Sequence, residues 1–170
     1  MGCGGNNADT SWVDIKRDGF PGIDDDEFVP TFVKENKKSL NNLAEMMLVY
    51  DFRFLIDRYD GDVRVVIRND NSSNDEKERL ADALLGDEEL MSKSSDLLEL
   101  EYISSIQRFT TNAGYRGLSV EFITQSTPLG SFARNARYCS DEEMDVNPAR
   151  YGSRGEHITG NWFYCIEGLV

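Results

Sequence analysis

The residues most able to do chemistry in this chain are carboxylates and arginines. The stretch DGFPGIDDDEF, Asp18 to Phe28, sets four aspartates and a glutamate around two glycines and a proline. A calcium loop needs oxygen ligands at alternate positions and a glycine at the sharp turn. Counted from Asp14, Asp18 falls fifth and Gly19 sixth, with Asp24 and Glu27 further on. Lys16 occupies the third place, and Glu27 arrives two residues late. Only an enlarged loop would bind a cation through Asp14, Asp18, Asp24 and Glu27, so the stretch reads as an acidic turn and no metal is expected. A second acidic run, DRYDGD at 57–62, is explained by turn formation around Gly61.

Arg134, Arg137, Arg150 and Arg154 recur within 21 residues, interleaved with Tyr138 and Tyr151. Guanidinium forks suit carboxylates and phosphates, so this is a candidate anion-binding surface. The plainer reading has these arginines anchoring their own segment to the acidic first half of the chain. Cys139 and His157 could pair as nucleophile and base, with Asp141 or Glu156 orienting the ring. The acids around Cys139 would raise its thiol pKa and work against activation. No G-x-S-x-G elbow and no glycine-rich phosphate loop occurs, and no cofactor is implied. At the N-terminus, MGC places Gly2 and Cys3 where acylated proteins carry them, although Asn6 stands where Ser or Thr is preferred. CGGNNADTS also has the polar character of a lipoprotein tether starting at Cys3.

One segment carries a family resemblance. GYRGL at 114–118 resembles the arginine-bearing strand of the ADP-ribosyltransferases. QSTP at 125–128 is similar to their Ser-Thr-Ser strand, and DEEMD at 141–145 offers a glutamate. The resemblance covers under a fifth of the chain. It implies an enzyme working through Arg116, Ser126 and Glu143. With His157 added, Arg116 and Glu143 are the catalytic candidates of the 114–157 region.

The charge of the whole chain points elsewhere. Its 170 residues carry 18 basic and 31 acidic side chains, a net of −13. Such a surface repels nucleic acid and anionic headgroups and attracts basic proteins. Residues 1–113 hold 24 acids against 13 bases, and residues 114–170 hold 7 against 5. Three cysteines, Cys3, Cys139 and Cys165, make no disulfide framework, which favours a reducing, cytoplasmic setting. A Cys139–Cys165 bridge stays open for an exported chain. Membrane attachment is expected only if the N-terminus is acylated at Cys3, because no run is long enough to span a bilayer.

The elements that must position these groups follow from periodicity. Residues 1–11, rich in Gly and Asn, read as a flexible tail, and 12–170 as one domain. Trp12, Val13 and Ile15 suggest an edge strand. Leu40, Leu43, Met47, Tyr50 and Phe54 recur at helical spacing and predict a long helix from Ser39 to Tyr59. Ser73 and Glu76 form a capping-box start for a second helix ending at Gly86. Leu98, Tyr102, Ile106 and Phe109 predict a third, over 87–109. Strands are expected at 63–68, 118–125 and 161–167, with 130–159 irregular. The sum is an α+β fold: about three helices on a small, mostly antiparallel sheet. The function expected is that of a non-catalytic acidic binding protein, an inhibitor, immunity factor or adaptor, engaging a basic protein surface.

Overall fold

The computed structural model describes residues 12–15, 25–111, 114–123, 131–140 and 154–169. The chain is α+β, with four helices and seven strands among these residues. They run α1 (Phe28–Glu35), α2 (Lys37–Leu48), β1 (Phe54–Tyr59), β2 (Asp62–Ile67), α3 (Asn74–Leu85), α4 (Glu88–Leu98), β3 (Ile103–Thr110), β4 (Arg116–Phe122), β5 (Ser131–Cys139), β6 (Arg154–Thr159) and β7 (Trp162–Leu169). The strands form one antiparallel sheet in the order β2-β1-β3-β4-β5-β7-β6. The sheet is therefore large, not small, and the helices outnumber the three expected.

Two of the expected helices change type partway. The Ser39–Tyr59 helix ends at Leu48, and Phe54–Tyr59 is β1. Phe52, Phe54 and Ile56 alternate with Arg53, Leu55 and Asp57, and all three apolar members are buried. Phe54 satisfies both the helical and the two-residue period, so spacing alone misassigned it. The 87–109 helix likewise stops at Leu98, and Ile103–Thr110 is β3. Strands β5 and β6 lie inside the segment expected to be irregular. In SFARNARYC the alternation is hidden because arginine and asparagine take inward and outward places alike. No strand forms at 12–15. Pro30 lies in the first turn of α1, where its missing N–H costs nothing.

All four helices share one core with one face of the sheet. α1 lies against β5, β7 and β6, α2 against β4, α4 against β3 and β1, and α3 against the edge strand β2. The inward positions are Phe54, Ile56, Ile106, Leu118, Val120, Phe122, Ala136, Trp162 and Tyr164, all buried. Phe28 and Phe32 of α1 set their rings edge-on to Tyr102 and Phe122, at centroid separations of 5.1–6.3 Å. The opposite face carries a polar row, Ser105, Glu121 and Asn135, with Ser119, Arg137, Cys139 and Cys165 beside it. Local chemistry sets the ends of the elements. Ser73 caps α3 by accepting from Glu76 N–H, and Asp87 caps α4 by accepting from Leu90 N–H. Asp60 (φ 53°) and Gly61 (φ 89°) make the two-residue turn between β1 and β2.

Candidate functional site

The sheet end formed by the start of β1, the finish of β3 and the start of β4 gathers three arginines. Arg53 immediately precedes β1, Arg108 is near the end of β3, and Arg116 opens β4. Register puts Arg108 and Arg116 on the same face, since Thr110 pairs with Arg116, while Arg53 precedes Phe54, the partner of Arg108. Arg108 takes an inward place, flanked in the sheet by Phe54 and Leu118, and is 0% exposed. Its Nη1 donates to the hydroxyl of Thr110, so the guanidinium reaches along the strand towards Arg116. Its Nε and Nη2 are buried and have no hydrogen-bond partner among the described residues, and the same holds for Nε of Arg53.

A buried donor left unpaired costs about 1–3 kcal/mol, and charge on it raises the cost. Burial accordingly lowers the pKa of Arg108, and the charges of Arg116 and Arg53 lower it further, while Asp51 opposes them. Arg53 also meets Asp70 at 3.7 Å, a loose pair with the Asp70 side chain 87% exposed. The cluster thus runs from exposed Arg116 and half-buried Arg53 inward to Arg108.

Sequence periodicity missed Arg108 because residues 87–109 read as a helix whose apolar stripe excludes it. Its signal is visible once β3 is a strand: alternation puts Ile106 and Arg108 on the same inward face.

The expected site residues are dispersed. Arg116 is exposed, and its carbonyl accepts from both Ser140 N–H and Ser140 Oγ. His157 is exposed on the edge strand β6, with Nε2 2.8 Å from the Gly160 carbonyl and its ring edge-on to Phe163. Arg116 and His157 are separated by β5 and β7, three strand spacings or about 14 Å. Glu143, Ser126 and Asp141 lie outside the described residues. Cys139 and His157 are two spacings apart across β7, so they do not pair. Burial pushes the Cys139 thiol up to about 11, with Cys165 adding and Arg137 opposing. Cys139 and Cys165 are not joined to each other, so the bridge left open by the sequence is not formed.

Arg134 does what the plainer reading asked. Its Nε donates to Tyr164 Oη at 3.1 Å and its Nη2 lies 3.6 Å from Asp26, which also accepts from Tyr164 Oη. An arginine of β5 thereby fastens the acidic stretch ahead of α1. Arg137 faces the other side of the sheet and stands 5.7 Å over the Phe109 ring. Arg154 takes the register position opposite Ile166, itself opposite Arg134. Arg150 lies outside the described residues. So do Asp18, Asp24 and Cys3. Glu27 is exposed at the entrance to α1, where its N–H donates to Asp25. Asp14 sits near Tyr102 and, behind burial, helps raise that phenol's pKa. No group of three metal-ligating side chains forms among the described residues. No helix among them is long and apolar enough to cross a membrane.

The fold and this cluster define a two-layer α+β protein with a group of arginines at one sheet end. No known protein family, curated protein or solved structure matches the chain.

Proposed function

We propose that the protein is a non-catalytic acidic binding module, an inhibitor, immunity factor or adaptor, whose partner presents a basic protein surface. One observation carries this reading. Residues 51–101 hold 15 acidic and 7 basic side chains, a net of −8 out of −13. They fold into β1, β2, α3 and α4, with α3 on the edge strand β2 and α4 on β1 and β3. Asp75, Glu76, Glu78, Asp82, Glu88 and Glu89 are exposed on the two helices there. A one-sided negative field steers a cationic partner into register and speeds encounter more than it deepens affinity.

The test uses the intact chain and a variant carrying Glu76→Lys, Glu78→Lys and Asp82→Lys as baits in an extract of the source organism. Circular dichroism checks that the variant folds. Quantitative mass spectrometry should find one or a few basic proteins enriched on the native bait. They should be lost from the variant and released by about 0.5 M salt, where screening is nearly complete. Equal capture by both baits overturns the reading.

A further inference from the structure

We propose that the sheet end formed by β1, β3 and β4 is a receptor for a small oxyanion, phosphate or carboxylate, gripped by Arg108 with Arg53 and Arg116 beside it. This site uses none of the acidic surface, so it stands or falls separately from the binding module.

The argument begins with the donor pair left over. Nη1 of Arg108 is used by Thr110, while Nε and Nη2 have no partner. Those two nitrogens are one edge of the guanidinium fork, the edge that accepts an oxyanion through two parallel hydrogen bonds. The chain shows the arrangement elsewhere. Arg64 holds Asp57 through the same two nitrogens, Nε at 3.0 Å from Oδ1 and Nη2 at 2.7 Å from Oδ2. Arg108 keeps the same edge buried, at 0% exposure, with no partner for it among the described residues.

The neighbours make the case for a ligand and not for a lone misfit. Arg53 adds a third buried donor without a partner, and Arg116 and Arg53 act on Arg108 as like charges. Converging cations on a buried cation is unfavourable unless a negative group neutralises them. Asp51 supplies electrostatic opposition from an exposed position, and the Arg53–Asp70 contact is at the surface. An oxyanion entering past Arg116 and Arg53, with their side chains moving aside, reaches the free edge of Arg108. A tetrahedral phosphate would use Arg108 and Arg116, which share the inward side of the sheet, with Arg53 a nearby like charge; a carboxylate would fill the Arg108 edge alone.

The experiment measures thermal unfolding and calorimetric binding of the full chain with inorganic phosphate, sulfate or acetate, against sodium chloride at matched ionic strength. The native protein should show a saturable rise in melting temperature with at least one oxyanion beyond the chloride baseline. Response to phosphate and sulfate alone marks a tetrahedral site, and response to acetate marks a carboxylate site. Arg108→Met should abolish the response. Arg116→Gln, at an exposed position, should weaken phosphate affinity about tenfold, the loss of one charge-assisted hydrogen bond, and Arg53→Gln, which removes only a nearby charge, should weaken it less. Arg58→Gln, an exposed arginine at the far end of β1, should leave it unchanged. No saturable rise in the native protein overturns the proposal. So does equal weakening by Arg58→Gln, or an undiminished response in Arg108→Met. If Arg108→Met does not fold, the Arg53→Gln and Arg116→Gln affinities decide in its place.

Discussion

Gly117 leaves no room for a side chain in the sheet. A Cβ built there would lie 2.4 Å from the Tyr138 carbonyl oxygen and 2.5 Å from the Phe109 ring. Gly117→Ala should therefore destabilise the protein by about 1–3 kcal/mol, the cost of overpacking, read by urea unfolding. Arg108 behaves in the opposite sense. In a buffer without oxyanions, Arg108→Met should equal or exceed native stability by about 1 kcal/mol, because unpaired buried donors are removed. Tyr50 gives a pH signature. Burial, then its 2.7 Å hydrogen bond to Asp87 and that carboxylate's charge, raise its pKa from 10.0 to about 12. The folded state then holds the phenolic proton more tightly than the unfolded state does. That contribution is whole below pH 10 and is lost as pH climbs towards 12. Tyr50→Phe should flatten the fall of stability across this window in alkaline unfolding titrations.

The elements are held by a few local devices and one aromatic joint. Asp87 both caps α4 and accepts from Tyr50, which stands between α2 and β1. Asp87→Ala should cost about 1–2 kcal/mol, more than loss of the Ser73 cap, since two elements lose a partner. The β1–β2 turn depends on Gly61 at φ 89°. Gly61→Ala meets no neighbour within 4 Å, so its penalty is conformational, about 1 kcal/mol, and should appear as faster amide exchange confined to that hairpin. Phe32 is the joint of α1 to the sheet, buried against Tyr102 and Phe122. Its truncation belongs to the class of core deletions that cost about 3–5 kcal/mol.

At the scale of the molecule, the acids of residues 51–101 outnumber their bases by eight. The β2 edge with α3 and α4 is strongly acidic, while Arg134 and Arg137 lie on β5 beyond the middle of the sheet. Self-repulsion within the acidic end opposes compaction. Raising sodium chloride from about 10 mM to about 150 mM shortens the Debye length from about 30 Å to about 8 Å. The melting temperature should rise over this range. The rise should shrink in a variant with Asp75→Asn, Glu78→Gln and Asp82→Asn, which removes three exposed charges from α3.

Where a segment's signal is local, composition and spacing were enough. The α3 cap at Ser73, the β2 alternation, the closing strand β7 and the acidic bias of residues 51–101 are written in neighbouring residues, which interact whatever the rest of the chain does. The α+β class followed from them. Tertiary contact decided what local pattern left degenerate. Phe54 and Ile106 fit a helix and a strand equally, and pairing with Ile67 and Val120 across the sheet made both of them strand. β5 had too many arginines to look like a sheet's interior until β4 and β7 closed on either side of it. Arg108 is the sharpest instance. Nothing in its neighbours along the chain distinguishes it from a solvated arginine, because burial is a property of the strands and helices that surround it, and only the assembled sheet placed its unspent donors between Arg53 and Arg116.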